Sequence, residues 1–323
     1  MRVLVTGATS LLGSFTANTL RNHGHDVVTL QRSRSELVGV TDYLGSITDR
    51  AVVEQAMAGV DGVIHLAAKV DPVGDWSDFA SVNVDGTTIV HAVAAEAGVS
   101  RFVYVSSPSV AHDGSSISGE GAAPADPEHA HGHYSVSKAI AERHVLAASS
   151  AALPVVAIRP HLVIGPGDTQ LIGRILDRAQ AGRMPLVGSG LALVDTTWVD
   201  NAADALVAAL HSLPATAGRA LVVSNGEPRT VHELIERITT ACGVAWSPRS
   251  VPARAAVAGG AAVESLWGRT NRDGEPPMTA FGAEQLSTAH WFDQRETRAA
   301  LDWEPRVSLA EGWRQLAAAN RPG

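Results

Sequence analysis

The amino terminus, Met1-Arg-Val-Leu-Val-Thr-Gly-Ala-Thr-Ser-Leu-Leu-Gly13, places glycines directly after an apolar run and at the head of an amphipathic segment. The run Val3–Val5 predicts a buried strand, and Leu12–Asn22 predicts a helix. Gly7 permits a tight turn and Gly13 permits close packing of the helix on the strand, while free N–H groups at the helix start attract a pyrophosphate. The segment therefore predicts the first unit of a dinucleotide-binding domain, whereas the plainer interpretation is a turn that merely uses glycine.

Strands and helices continue to alternate through the first half of the chain. A helix is predicted over Asn83–Ala97, ending at Gly98. Apolar and β-branched runs predict four further strands: Val27–Leu30, Val63–Ala68, Phe102–Ser107 and Leu153–Ile158. Because strands that alternate with helices of this length form parallel sheets covered on both faces, we predict an α/β fold with a Rossmann-type doubly wound parallel sheet.

The alternation of predicted strands and helices ends after Gly165-Pro-Gly167, and predicted helices separated by Pro/Gly loops follow. We expect a dinucleotide-binding domain over residues 1–165, with returns to its sheet at about 195–225. A smaller C-terminal substrate lobe is expected over 166–194 and 226–323. Within these parts we predict helices at Leu171–Ala181, Val231–Cys242 and Leu309–Ala319, and a surface loop at Arg269–Pro277.

Composition excludes several kinds of partner. The formal charge of −8 and the lack of a Lys/Arg block argue against nucleic acid or anionic lipid. Cys242 is the only cysteine, so neither an internal disulfide nor a cysteine-based metal site can form. His112, His129, His131 and His133 cluster in a Gly/Ser/Pro-rich stretch without a His-x-x-x-His pair, so we predict a solvated loop and no metal.

No positively charged segment leads into a long apolar stretch. The weakly polar run Ala255–Val263 is too short to span a bilayer. We therefore expect no signal peptide, no stable membrane insertion and a cytoplasmic location.

The glycine loop departs from the Gly-x-x-Gly-x-x-Gly pattern at its middle position, which is Ser10. A hydroxyl at that position would hydrogen-bond a phosphate, so we expect dinucleotide binding to survive. The loop residues predicted to contact the cofactor are Gly7, Thr9, Ser10, Leu11, Leu12 and Gly13.

The second predicted strand ends in Gln31-Arg-Ser-Arg34. An Asp or Glu at that end would hydrogen-bond the adenosine ribose 2′-OH and repel a 2′-phosphate. Gln31 removes the repulsion, and Arg32 or Arg34 would pair with the phosphate. We therefore predict NADP(H) over NAD(H), with contacts from Gln31, Arg32, Ser33 and Arg34; the alternative is a solvated basic loop.

Tyr134 and Lys138 lie one helical turn apart, so a phenol and an ammonium would share one face. We expect Lys138 to lower the tyrosine pKa and to hold the nicotinamide ribose. Tyr134 would then act as general acid in ketone reduction and as base in the reverse direction. Ser107 would stabilise charge on the same oxygen, and we prefer it to Ser106 because it lies nearer the solvent end of its strand.

These features resemble the extended short-chain dehydrogenase/reductase family over nearly the whole chain. The matching segments, in the family's order, are Thr6-Gly-x-x-x-x-x-Gly13, His65-Leu-Ala-Ala68, Asn83-Val-Asp-Gly-Thr87, Tyr134-x-x-x-Lys138, Arg159-Pro160 and Gly165-Pro-Gly167. The resemblance implies a Rossmann domain, a carboxy-terminal substrate lobe and dimerisation through two helices of the sheet domain. It also implies cofactor contacts from Ser46, Ile47, Leu66, Ala67, Ala68, Pro160 and Val163, although an Asp is usual where Ser46 stands.

Two positions bear on the substrate. Family members that act on nucleotide sugars carry an Asn where this chain has Leu162, and an Arg where it has Val194. Three segments resemble the 3β-hydroxysteroid dehydrogenase branch: Tyr104–Val110, Arg159–Thr169 and Thr288–Asp293. This branch includes sterol-4α-carboxylate 3-dehydrogenases and 2-alkyl-3-oxoalkanoate reductases. The resemblance implies an oxidoreductase that interconverts a ketone and a secondary alcohol on an apolar substrate, such as a β-keto acid or a steroid-like ketone. The alternatives are a nucleotide-sugar epimerase or dehydratase and a non-catalytic cofactor-sensing regulator.

Overall fold

The computed structural model describes residues 1–71, 73–270 and 278–320. Its main sheet has seven parallel strands in the order β3-β2-β1-β4-β5-β7-β12. The strands are, in chain order, β1 Arg2–Thr6, β2 Asp26–Gln31, β3 Thr41–Leu44, β4 Gly62–His65, β5 Arg101–Val105, β6 Ile117–Glu120, β7 Val155–Pro160, β8 Val163–Ile164, β9 Leu186–Val187, β10 Leu193–Val194, β11 Thr197–Trp198, β12 Ala220–Val223, β13 Arg229–Thr230, β14 Ser250–Val251 and β15 His290–Phe292.

Helices cover both faces of this sheet. They are α1 Leu11–Asn22, α2 Arg50–Met57, α3 Trp76–Phe79, α4 Thr87–Glu96, α5 Gly132–Ala147, α6 Ile172–Gln180, α7 Val199–Ser212, α8 Val231–Ala241, α9 Ala253–Thr270, α10 Ala280–Gln285, α11 Arg295–Leu301 and α12 Leu309–Ala319. A π-helical turn, Ala80–Gly86, joins α3 to α4, and a 3₁₀ turn, Pro108–Ala111, follows β5. The helices α1 and α7 pack on one face, while α2, α4 and α5 pack on the other.

The alternation of side chains along the strands explains the two cores. In β1, Val3 and Val5 pack into the core beneath α1 and α7, whereas Leu4 packs into the core beneath α2, α4 and α5. All three side chains are fully buried. A strand that is buried on both faces has a continuous apolar sequence, and β1 shows this pattern.

A second body of structure is built mainly from the carboxy-terminal half. A four-stranded sheet, β13-β10-β15-β6, takes its edge strand β6 from the first half of the chain. The helices α6, α8 and α12 enclose a third apolar core. Helix α11 packs instead against α7 and β12 of the main sheet.

The predicted α/β fold with a Rossmann-type sheet is confirmed. Helix α7 packs on α1, and β12 extends the sheet beside β7. The strand predicted over Val63–Ala68 ends earlier, at His65, because the next two N–H groups bond Thr6 instead of continuing the ladder. Of the predicted loop Arg269–Pro277, residues 271–277 lie outside the described residues, and its first two residues end α9. Within the described ranges, no helix has the length and apolar character needed to cross a membrane.

Candidate active site

The glycine loop between β1 and α1 forms an open cradle at the carboxyl end of the sheet. Gly7 has a φ of +77°, and a Cβ there would lie 3.0 Å from the backbone of Ala67. A Cβ on Gly13 would lie 2.3 Å from the carbonyl oxygen of Gly7. The N–H groups of Leu11 and Leu12 donate to no other described residue. Free N–H groups at a helix start next to a backbone without side chains fit a dinucleotide pyrophosphate.

Ser10 is the N-cap of α1. Its Oγ accepts from the N–H of Gly13 at 3.1 Å and donates to the carbonyl of Gly7 at 2.8 Å. In this structure the hydroxyl proton bonds the loop itself, and the contact of Ser10 with a phosphate stays a prediction. The serine stiffens the loop in the place of the usual glycine.

The strand ends next to this loop are held by a buried hydrogen-bond chain. Thr6 Oγ1 accepts from the N–H groups of Leu66 and Ala67 at 3.2 and 3.1 Å, so its proton goes to Nδ1 of His65 at 2.7 Å. The chain fixes Leu66 and Ala67 opposite Gly7 and leaves their side chains half-buried. The other predicted contact residues lie as follows: Thr9 is exposed in the loop, Ser46, Ala68 and Val163 are half-buried, and Ile47 and Pro160 are buried.

At the end of β2, Gln31 is buried and donates to Asp42 at 3.0 Å and to Thr29 at 3.1 Å. Its Oε1 has no hydrogen-bond partner among the described residues. Arg32 and Arg34, like Ser33, are exposed, and neither arginine forms an ion pair with a described residue. The guanidinium groups are therefore available to an anion at this edge.

Ser107 and Tyr134 meet at the end of β5. Ser107 is the N-cap of the 3₁₀ turn, and its Oγ lies 3.0 Å from that of Ser109. Both Ser107 and Tyr134 line one cavity, whereas Ser106 is buried beside them and does not line it. Burial raises the pKa of Tyr134 to about 12, and an interaction with the Ser107 hydroxyl lowers it by less.

Lys138 lies one turn further along α5 and is 2% exposed. Its Nζ donates to the carbonyl of Val105 at 2.6 Å and lies 4.1 Å from the centre of the Tyr104 ring. Burial lowers the Lys138 pKa to about 7, while Glu142 raises it by less. Our expectation that the ammonium lowers the Tyr134 pKa is wrong for this structure, because burial dominates and the amine is engaged by a strand carbonyl.

Two buried contacts hold α5 in place. Glu142 accepts from Arg159 of β7 at 2.9 and 2.5 Å, and both side chains are 1% exposed. Asn83, in the π-helical turn, donates to Ser137 Oγ at 2.9 Å and pairs with the backbone of Lys69. Asn83 and Arg159 lie in segments that sequence analysis identified, but their roles in anchoring α5 depend on contacts between elements that are distant in the sequence.

The cavity beside Tyr134 has a volume of about 270 Å³ and a largely apolar wall. Leu162 and Val194, which occupy the positions of the nucleotide-sugar anchors, both line it. Leu162 has a φ of +41°, a conformation that Asn tolerates and a leucine rarely adopts. A larger groove of about 760 Å³ lies beside α7 and α11, is lined by both charged and apolar residues and does not include Tyr134.

Sequence analysis missed three histidines of this cavity. His112, His161 and His290 line it, and each is at least nine-tenths buried. The prediction that His112 lies in a solvated loop is therefore wrong, since the turn after β5 folds inward beneath β15. Among the described residues, no group of His, Cys, Asp or Glu side chains is arranged to hold a metal ion.

Residues 3–224 match the NAD dependent epimerase/dehydratase family. The chain belongs to this family. It is an extended short-chain dehydrogenase/reductase, and the predicted nicotinamide-dependent oxidoreductase acting on CH–OH or ketone groups is confirmed at that level.

Two relatives support the predicted branch of this family. A 2-alkyl-3-oxoalkanoate reductase of Stenotrophomonas maltophilia is 40% identical, over 99% of both chains. A 3-beta-hydroxysteroid dehydrogenase of Mycolicibacterium neoaurum is 31% identical, over 94% of this chain and 86% of that one. The solved structure of MoeE5 in complex with UDP-glucose and NAD has a TM-score of 0.74 and 24% identity over 99% of both chains, which shows the shared fold.

Proposed function

We propose that this enzyme interconverts a 3-oxo acid and the corresponding 3-hydroxy acid, with NADP(H) as cofactor. The observation that carries the proposal is the cavity in which Ser107 and Tyr134 face an apolar wall. The name of the 40% identical relative supports the same substrate class. Leu162 and Val194 in the wall disfavour a sugar diphosphate, because neither offers a donor to a phosphate.

The polar groups of the cavity have distinct roles in ketone reduction. Ser107 donates a hydrogen bond to the ketone oxygen and stabilises the negative charge that develops there. Tyr134 donates its phenolic proton to the same oxygen. The bound nicotinamide supplies the hydride. A phenol with a raised pKa stays protonated at neutral pH, which suits an acid that must hold its proton until the oxygen becomes basic.

We propose that Lys138 stabilises the charge left on Tyr134 after proton transfer. With a pKa of about 7 it exists in both protonation states near neutral pH. After Tyr134 has given up its proton, a protonated Lys138 one turn away stabilises the phenolate. We propose that Lys138 also leaves the Val105 carbonyl to hold the nicotinamide ribose.

The preference for NADPH is proposed from the edge of β2. Gln31 carries no charge, and the exposed Arg32 and Arg34 flank it. A charge-assisted hydrogen bond contributes about 1.5–3 kcal/mol, so loss of one guanidinium is expected to raise the KM for NADPH by roughly 10- to 100-fold. The paired substitution Arg32→Gln and Arg34→Gln should leave the KM for NADH unchanged.

NADPH oxidation with 3-oxooctanoate tests the function directly. Wild type is expected to consume NADPH with this acid and to show no activity on UDP-glucose. Binding of UDP-glucose in calorimetry, together with no NADPH oxidation by any 3-oxo acid, would reverse the assignment. Turnover of any ketone would also exclude the alternative of a non-catalytic cofactor-sensing regulator.

Three broader features remain proposals. The residues 166–194 and 226–323, apart from α11, form the substrate lobe, because the cavity takes most of its apolar wall from them. The enzyme works in the cytoplasm, which its single cysteine and acidic charge suit. It forms a homodimer through helices of the main sheet, which light scattering of the purified protein would test.

A further inference from the structure

Three histidines from separate elements meet in the wall of the substrate cavity. His112 follows the 3₁₀ turn, His161 follows β7, and His290 begins β15. The ring centres of His112 and His290 lie 4.9 Å apart, and those of His161 and His290 lie 6.0 Å apart. One ring nitrogen of each has no partner among the described residues: Nε2 of His112, Nδ1 of His161 and Nδ1 of His290. A buried polar atom without a partner calls for an explanation, and here three of them share one cavity.

The hydrogen bonds assign the tautomers of two rings. Thr288 gives its hydroxyl proton to the carbonyl of Glu284, so it accepts from Nε2 of His290 at 2.7 Å. The unpartnered Nδ1 of neutral His290 is therefore a bare lone pair. The backbone of Asp195 raises the pKa of His161, as a carbonyl that accepts from Nε2 would do, so we assign the same tautomer to His161.

His112 has the opposite arrangement. The N–H of Gly114 donates to its Nδ1 at 3.3 Å, which leaves the ring proton on Nε2. The neutral cluster thus presents one donor, from His112, and two acceptors, from His161 and His290. One added proton would convert an acceptor into a second, charged donor.

The charges around the cluster allow one such proton. Burial lowers the pKa of His161 to about 4 and that of His290 to about 3, and the protonated rings repel one another. Burial lowers the pKa of His112, and His131 lowers it further. The carboxylates of Asp113 and Glu284 and the backbone of Ser115 oppose this decrease. The carboxylate of Asp195 is occupied by Ser224 Oγ at 2.6 Å and by the N–H of Glu227 at 3.2 Å. An anion in the cavity would supply the missing stabilisation for a single imidazolium.

We propose that the His112–His161–His290 cluster is the subsite for the substrate carboxylate, which enters together with one proton from solvent. This inference rests on the proposed function, in which only one carbon separates the carboxylate from the ketone. The proton adds to Nδ1 of His161 or His290, no covalent bond to carbon changes, and His112 Nε2–H provides the second donor. A neutral ester or ketone binds without a proton.

The coupling gives a definite pH dependence. Above about pH 5 a free fatty acid is ionised, and His161 and His290 are neutral in the free enzyme. The Kd for a carboxylate should then rise about tenfold per pH unit, up to the pKa of the bound imidazolium. The Kd for an uncharged ligand of the same length should not change with pH.

Calorimetry of the wild-type enzyme with octanoate and octanamide tests this without turnover. Titrations in phosphate and in Tris, which differ in ionisation enthalpy, report the protons taken up. About one proton is expected with octanoate and none with octanamide. The paired substitution His161→Asn and His290→Asn removes both proton acceptors and should abolish the proton uptake, whereas His23→Asn, at an exposed histidine, should not change it. Octanoate binding without proton uptake in wild type, or no octanoate binding at all, would overturn the subsite.

Steady-state kinetics separate this proposal from the proposed function. If 3-oxooctanoate and its methyl ester are reduced with equal KM at every pH, the subsite is wrong and the function stands. If neither oxidises NADPH while octanoate still binds with a proton, the function is wrong and the anion site stands.

Discussion

Lys138 is one of two lysines in the chain, and its burial should measurably lower the free energy of unfolding. Its pKa falls from 10.5 to about 7. At about 1.36 kcal/mol per pKa unit, keeping this ammonium protonated in the folded state costs about 5 kcal/mol. This net cost already includes the hydrogen bond to Val105 and the contact with the Tyr104 ring. We therefore expect Lys138→Met to stabilise the protein by up to about 5 kcal/mol below pH 7 while abolishing turnover.

The sign of the pH dependence follows from the direction of the shift. Between pH 7 and 10.5 the unfolded chain holds the Lys138 proton and the folded chain has released it. Because the unfolded state binds more protons there, the free energy of unfolding of wild type rises with pH across this window. Lys138→Met removes that rise. Lys69 is the matched control: it pairs with Asp71 and Asp78 near the surface, so Lys69→Met should change stability by less than about 1 kcal/mol.

Urea denaturation at several pH values measures both effects, as a change in midpoint at constant m. Reductive ¹³C-methylation gives a direct check, because only two lysine signals need assignment and Lys69→Arg identifies one. A destabilised Lys138→Met variant, or parallel pH profiles for wild type and variant, would refute the argument from burial. An ε-amine that titrates near its free value would do so as well.

Three further substitutions test other parts of the site. Tyr134→Phe should lower kcat by about 10²- to 10⁴-fold and leave NADPH affinity, measured by fluorescence titration, unchanged; an unimpaired kcat would remove the tyrosine from the mechanism. Glu142→Gln leaves the Arg159 guanidinium buried without its anion and should cost about 3–5 kcal/mol in urea denaturation, so a loss below about 1 kcal/mol would show the pair to be dispensable. Leu162→Asn should raise the free energy of unfolding by up to about 1 kcal/mol, because Asn tolerates the positive φ at this position better than Leu does. The same substitution should lower kcat/KM for alkyl substrates by roughly tenfold. An unchanged kcat/KM would show that Leu162 does not contact the substrate.

The parts of this fold that depend on local sequence were predictable. The closing helix was predicted over Leu309–Ala319, and α12 has those bounds. Ser308 caps it by accepting from the N–H of Glu311, so residues that are close in the sequence determine where the helix begins. The strand and glycine loop at the amino terminus are local in the same way, because each needs only its own apolar pattern and the conformational freedom of Gly7 and Gly13.

The histidine cluster was not predictable, because its members come together through long-range pairing. His290 reaches the cavity only because β15 pairs with β6, at a separation of more than a hundred residues. No periodicity in the sequence marks that pairing. His112 was misread because its neighbours are polar, yet the residue itself is 3% exposed. The lowered pKa of Lys138 was not predictable either, since it depends on the burial of α5 against the sheet.

One face of α5 connects these observations. Tyr134, Lys138 and Glu142 recur every fourth residue, so they form a stripe along the helix. Glu142 is bound to β7 and Lys138 to β5, which are neighbours in the sheet. The residues that follow those two strands, Ser107 and His161, open into the cavity. The parallel sheet therefore sets the spacing between the proposed proton donor and the proposed carboxylate subsite, so differences in alkyl chain length would be accommodated by the apolar wall of the cavity.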